Sequence, residues 1–469
     1  MIRILFQLAA VVFWAGEARA AETASPPRPN IIVVMPDDVG WGDFGCHGNP
    51  IIKTPAVDGF WRESVRFTDF HVSPTCAPTR AALLTGRHEF KNGVTHTIEE
   101  RERLTLQAVT LPEVLRAGGY TTGLFGKWHL GDERDRWPDR RGFDEFFIHG
   151  AGGIGQSYPG SCGDAPGNTN FDPVILHNGT FVKTRGYCTD VFFDRAMAWM
   201  QEVKERGPFL AFITPNAAHA PLDVPEEYAR RHRGKVDDKT AKFFGMIENI
   251  DDNFGRLLAR LAEWGLAENT LVVFLTDNGG TVGVSIHNGG RRGGKGGPYQ
   301  GATRVPSLWR WPAGFTGGRD VGALTAHIDV LPTLAEVAGV PLSDDVRRQV
   351  EGRSLRPLLL DPAAVWPDRH LITHVGRWPR GQFAAFKHKG CSIRDRRFAL
   401  VNDSELYDLQ ADPAQTTNVL EKHSDVARRL RAAYEEWWAA LPPHLENEEV
   451  VPPAENAFKT LYRKQFRAF

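Results

Sequence analysis

Four short apolar runs, each ending abruptly in polar or glycine-rich sequence, set the pattern of this chain. Ile31 to Met35 runs into Asp37-Asp38, and Thr121 to Phe125 into Gly126-Lys127-Trp128-His129. Phe209 to Ile213 leads to Asn216 and His219, and Leu271 to Leu275 leads to Asp277-Asn278-Gly279-Gly280. Unbroken Val, Ile, Leu and Phe runs of this length suit strands buried on both faces of a sheet. Thr240 to Gly265 carries Phe244, Ile247, Ile250, Phe254, Leu257, Leu258 and Leu261 at helical spacing, a core-facing stripe. Strands alternating with helices predict an α/β fold, its large, mostly parallel or mixed sheet sandwiched by helices. Ligands of such sheets bind outside the carboxyl ends of the strands. All four polar clusters occupy that position.

A second region follows a junction at Asp361-Pro362 to Pro367. His370 to Val375 and Arg397 to Val401 read as strands. Ser424 is placed to cap a helix bearing Val426, Leu430, Tyr434, Trp437 and Leu441, which Pro442-Pro443 ends. The division is therefore a catalytic-size domain over 28–365 and a small α+β subdomain, a small antiparallel sheet plus helix, over 366–469. At the other end, Arg3, the apolar run Ile4 to Trp14 and Ala18-Arg19-Ala20 have the layout of a signal peptide over 1–20, cleaved after Ala20. That run is short for a membrane span. The expectation is an exported chain, periplasmic or secreted, with no stable membrane insertion.

A formal net charge of −1 over 469 residues leaves no electrostatic footprint for nucleic acid. Any anion site must come from local clustering of Lys, Arg and His. The five cysteines (Cys46, Cys76, Cys162, Cys188 and Cys391) are an odd number for an exported protein, so at least one is unpaired or chemically special. Cys162 and Cys188 are candidate disulfide partners. Cys76 stands out in "SPTCAPTRAALLTGR", where Pro78 suits the first position of a helix that Gly86 stops. Arg80, four residues on, shares its helical face.

Asp37, Asp38, Asp277 and Asn278 bring oxygen ligands to two strand ends. On neighbouring strands, three carboxylates would repel unless a hard divalent ion lay between them. Lys127 and His129, two apart in an extended segment, would face one side while Trp128 packs on the other. Lys295 lies in the glycine-rich "GGRRGGKGGPYQG", and His219 in "NAAHAP" is a candidate general acid. A metal, a thiol and this set of cations suit a phosphate or sulfate ester.

With those residues in place, the chain resembles the type I, formylglycine-dependent sulfatases of the alkaline phosphatase superfamily. Their signature stands as Cys76-Ala77-Pro78-Thr79-Arg80 and Thr85-Gly86-Arg87. "PNIIVVMPDDVGWGDFGCHG", "GYTTGLFGKWHLG", "FITPNAAHAPL", "LVVFLTDNGG" and "RGGKGGPYQGATRVP" are similar to the family's blocks, in its order, and "LYDLQADPAQTTNV" resembles its C-terminal signature. The match runs from Pro29 to about Leu441. It implies an alkaline phosphatase-like fold and hydrolysis of sulfate monoesters by S–O cleavage. Cys76, converted to Cα-formylglycine by a separate maturation enzyme, would supply the nucleophilic oxygen and pass through a covalent sulfate hemiacetal. Asp37, Asp38, Asp277 and Asn278, with the modified Cys76, would hold Ca²⁺ in preference to Mg²⁺. Arg80 and His129 would hold the modified side chain, Lys127 would touch it and the sulfate, Lys295 would bind sulfate, and His219 would protonate the departing alcohol. The substrate class implied is a sulfated small molecule or glycan, naturally a sulfated carbohydrate.

Three positions depart from the family pattern. Thr79 replaces the commoner Ser, Pro36 replaces a small residue before the aspartate pair, and Gln300 replaces an acidic residue, depriving Lys295 of a charge partner. Specificity is expected from Gly150 to Gly160 and from Gly376-Arg377-Trp378. The competing readings are a phosphoester or phosphonate monoester hydrolase and a catalytically silent protein that binds sulfated glycans.

Overall fold

The computed structural model describes residues 28–466, so the signal segment lies outside the described residues. The four apolar runs form the strands Asn30–Val34, Thr121–Lys127, Phe209–Thr214 and Thr270–Leu275. They sit side by side in a ten-stranded sheet. Asn30–Val34 pairs in parallel with Phe209–Thr214 on one side and Thr270–Leu275 on the other. Thr121–Lys127 lies beyond Phe209–Thr214 and is followed by the parallel strand Glu145–His149. Antiparallel partners flank this parallel centre: Ser307–Arg310 on one side, Val174–His177 and Thr180–Lys183 on the other. The sheet is therefore mixed.

Alternation along the central strands divides the interior into two cores. Ile31, Val33, Leu271 and Val273 join one, with Ala77, Ala81, Leu84, Leu115 and Leu331 from helices on that face. Ile32, Val34, Val272 and Phe274 join the other, with Phe193, Ile247, Ile250 and Phe254. The long helix expected over Thr240 to Gly265 spans Asp238–Glu263, and Asp237 caps it by accepting the Thr240 N–H at 3.1 Å.

A separate four-stranded antiparallel sheet, with strands Leu371–His374, Cys391–Arg394, Phe398–Val401 and Glu405–Asp408, carries its own core under the helix Ser424–Ala439. His423 rather than Ser424 occupies the cap position, with Ser424 as the first helical residue. The chain then returns to the large sheet. Helix Ala457–Phe466 packs Phe458 against Trp137 and Phe181, and Gln465 bonds the Phe181 backbone.

All five cysteines are free thiols. Cys162 and Cys188 are not bonded to each other; the Cys188 thiol instead donates to Asn170 Oδ1 at 3.8 Å. Burial holds both thiols above their ordinary range. No helix among the described residues is long and apolar enough to cross a membrane.

Candidate active site

Strand register builds the floor of the site. Val34 pairs with Phe274, so Asp37 and Asp277 lie equally far past the ends of neighbouring strands. The Asp277 N–H donates to Pro36 O at 3.4 Å and that of Asp37 to Ala217 O at 3.0 Å, tying the post-strand turns together. Asp38 takes a left-handed backbone, φ 62°, and its N–H donates to Asp277 Oδ1 at 3.3 Å. Oxygens of Asp37, Asp38 and Asp277 then all lie within 4.8 Å of one another. Asn278 closes the group by donating to Asp38 Oδ1 at 3.0 Å.

Each carboxylate is buried against a cation. Lys127 donates to Asp37 at 2.5 Å, Arg80 to Asp277 at 2.8 Å, and Lys295 lies 2.5 Å from Asp38. Lys295 thus finds its charge partner in Asp38 despite Gln300, which instead bonds Gln415 and the Pro413 carbonyl. Burial pushes the Asp37 and Asp277 carboxyls up to about 6. Burial pushes on Asp38 too, but Lys295, His219 and Lys127 together outweigh it and hold that carboxyl well below its usual range. Asp37 Oδ1 and Asn278 Oδ1 are buried with no hydrogen-bond partner among the described residues. Orphaned oxygens among crowded, proton-hungry carboxylates are what a hard divalent ion would satisfy, so these residues fit one.

The helix bearing Cys76 spans Cys76–Thr85, with all ten residues buried. It starts at Cys76, two residues earlier than the Pro78 position predicts, and stops at Gly86, φ 66°. Pro78 still falls among the first helical residues, whose N–H groups have no intrahelical acceptor. Thr79 uses its hydroxyl to donate to Ser73 O at 3.2 Å, fastening the entry turn. One turn on, Arg80 donates to both Asp277 and the Lys127 carbonyl, the latter at 2.9 Å. Burial pushes the Cys76 thiol up, but Lys127 and Lys295 more than offset it, leaving a net downward shift.

Lys127 and Trp128 point to opposite sides as expected, Trp128 into the first core. Lys127's strand can approach its neighbour because Gly126, φ 122°, sits where a Cβ would fall 2.0 Å from Thr214 O. His129 departs from the extended expectation: its φ is 60°. The turn lets its Nε2–H donate to Thr97 O at 2.8 Å and leaves Nδ1 without a partner among the described residues. Burial, followed by Lys127, keeps this ring neutral. His219 donates Nδ1–H to Ala220 O at 2.7 Å and presents Nε2 to Asp38 at 3.9 Å. Burial lowers its pKa as well.

The ten positions picked from the sequence thus converge on one pocket. Thr97, whose backbone carbonyl sets the His129 ring, carried no sequence signal. Neither did Thr214, whose hydroxyl donates to the Lys127 carbonyl at 2.9 Å. The expected wall forms only in part from the segments named for it. Arg377 is exposed, but Trp378 is buried in the C-terminal core, held by a hydrogen bond to Glu448.

Residues 29–340 match the Sulfatase family, and residues 295–438 match the C-terminal region of N-sulphoglucosamine sulphohydrolase. The chain is 34% identical to arylsulfatase A of Homo sapiens over 366 residues, 73% of this chain and 70% of that one. It is 31% identical over 358 residues to N-acetylgalactosamine-6-sulfatase of Homo sapiens, covering 72% and 67% respectively. Its fold superposes on the crystal structure of Ps i-CgsB in complex with k-i-k-neocarrahexaose with a TM-score of 0.78, at 24% identity over 94% of this chain and 98% of that one. The chain belongs to the sulfatase family and is a sulfuric ester hydrolase.

Proposed function

We propose that the Cys76 pocket cleaves the S–O bond of a sulfated carbohydrate, with Cys76 matured to formylglycine and Ca²⁺ held by Asp37, Asp38, Asp277 and Asn278. One observation carries this reading. Three buried carboxylates, each paired with a cation, cluster at the carboxyl ends of parallel strands, and one of them is held by Arg80 from the buried helix that Cys76 begins. The all-oxygen donor set favours Ca²⁺ over softer ions. When bound, the cation supplies Lewis-acid stabilisation of sulfate oxygen charge. The hydrated aldehyde supplies an oxygen nucleophile that a thiol lacks.

The chain's own groups do the rest. Arg80 holds Asp277 and the Lys127 carbonyl, so the floor is fixed before substrate arrives. Lys127 and Lys295 sit between carboxylates and pocket and share their donors with sulfate oxygens. His129, neutral and anchored through Nε2, offers Nδ1 as an acceptor to the modified side chain. His219 is the proton donor to the leaving alcohol. With Nδ1–H committed to Ala220 O, it donates from Nε2, which must first be protonated. The negative charge of the bound sulfate raises its pKa for that purpose.

The limits 28–365 and 366–469 fit this division of labour, with chemistry on the first part and a share of the rim on the second. Export to periplasm or medium, and activation by a formylglycine-generating enzyme, complete the proposal. The test is the chain co-expressed with that maturation enzyme and assayed on a panel of sulfated sugars, with mass spectrometry of the Cys76 peptide. Sulfate release in proportion to converted Cys76 is expected. Release from wholly unconverted protein would remove the aldehyde from the account.

A further inference from the structure

The three cations on the pocket floor are already spoken for, and one cation at its rim is not. Arg80, Lys127 and Lys295 each pair with an aspartate. Arg377 is exposed, and among the described residues no carboxylate lies within 4.0 Å of its guanidinium. Its only side-chain hydrogen bond among those residues goes from Nη2 to Thr97 Oγ1 at 3.0 Å. Thr97 is the residue whose carbonyl anchors His129. A single residue therefore fixes the pocket histidine with one oxygen and Arg377 with another.

Arg377 is also held in place by its backbone. Its φ of 58° is a left-handed value, and its N–H donates to Thr95 O at 3.0 Å. The next residue locks the same loop from the other side, since Trp378 O accepts from Arg101 Nη1 at 2.6 Å. Tyr158, 47% exposed, belongs to the Gly152 to Gly160 segment of the rim. Burial raises its hydroxyl, with Glu102 and Cys76 adding to the rise and Arg377 opposing it. Gly152 and Gly153, where a Cβ would lie 3.1 Å from His129 Cε1 and 2.7 Å from His219 Nδ1, bring that wall close to both histidines. A preorganised, unpaired guanidinium beside an oxyanion pocket is a receptor for a second oxyanion on the same molecule.

We propose that Arg377 binds a second anionic substituent of the saccharide, sulfate or carboxylate, while the ester to be cleaved occupies the Cys76 pocket. This deepens the sulfatase reading and rests on it. The substrate class is then a polyanionic saccharide rather than a singly sulfated one.

The test uses the full chain carrying Cys76→Ala, with binding read by calorimetry. Ligands are galactose 6-sulfate, galactose 2,6-disulfate and a 6-sulfated galactosyl disaccharide bearing a uronate. The parent is expected to bind at least one doubly charged ligand about tenfold or more tightly than the monosulfate, as one charge-assisted contact allows. Arg377→Gln should abolish that preference and Arg377→Lys should restore most of it. Which of the two ligands shows the preference identifies sulfate or carboxylate as the natural group. A preference that survives Arg377→Gln, an absent preference in the parent, or an equal loss for all ligands overturns the proposal. Because binding needs no turnover, the two readings separate. Monosulfate binding without an Arg377-dependent preference sinks only the rim site, whereas a pocket that binds no sulfate ester removes both.

Discussion

Floor and rim of the pocket are built on opposite principles. The carboxylates of the floor lie just past the ends of adjacent parallel strands, so main-sheet register places Asp37 against Asp277. Its charges are buried, paired and mutually dependent. The rim is made of loops from distant parts of the chain, Thr95 to Arg101, Gly152 to Gly160 and Gly376 to Trp378, and its cation is exposed and unpaired. A change to the floor must therefore disturb fold, metal and chemistry together. A change to an exposed rim side chain such as Arg377 should alter which molecule is accepted and little else.

The largest effect expected from breaking this contrast is Asp277→Ala. It leaves the Arg80 guanidinium, 1% exposed, without its carboxylate, and breaking a buried pair costs about 3–5 kcal/mol. Metal content, turnover and thermal midpoint should all fall, whereas Arg377→Gln should shift stability by no more than about 0.5 kcal/mol. Equal destabilisation by the two would erase the distinction. Gly153→Ala comes next. Its Cβ would meet His219 Nδ1 at 2.7 Å and Ala220 O at 2.8 Å, pushing the proton donor aside. A fall in kcat of about ten- to a hundredfold is expected, with a much smaller change in unfolding midpoint.

The mildest effect is a pH dependence of stability that arises outside the floor, in the rim loop and at the seam with the C-terminal sheet. Burial lowers His96 in the rim loop to about 3, and His71 and His374 at the seam with the C-terminal sheet to about 3 and about 4, from 6.5. Between those values and 6.5 the unfolded chain binds more protons than the folded one. Their contribution is therefore complete above pH 6.5 and is lost as pH falls toward 3. Chemical denaturation at steps across that window should show falling stability, and His374→Gln should flatten the slope. A slope unchanged by the substitution would contradict the assignment.

How much of this the sequence disclosed follows the same division. Strand ends are legible because apolar runs stop sharply at polar residues, and the aspartates of the floor are among those stops. Lys295 was legible as a residue but not in its pairing, because a glycine-rich loop has no periodicity from which to read its path. The left-handed turns at Asp38 and His129, and the Thr97 carbonyl behind His129, were hidden for a related reason: backbone geometry and carbonyl acceptors have no letter of their own. Trp378 shows the limit for side chains. Adjacent Arg377 and Trp378 carry no pattern that tells which faces solvent, and long-range packing on Phe90 and Ile393 decides it. The Cys162–Cys188 pairing failed because sequence spacing says nothing about whether two thiols meet.

The central claim is that the floor performs sulfate-ester chemistry through Cys76. Its most direct test is kcat/KM for 4-nitrophenyl sulfate and 4-nitrophenyl phosphate, measured side by side on the matured chain and on Cys76→Ala with Ca²⁺ supplied. The account predicts preference for the sulfate, and loss of that turnover to background in Cys76→Ala while fold and metal content persist. Preferential phosphate turnover, or sulfate turnover that survives without Cys76, would contradict it.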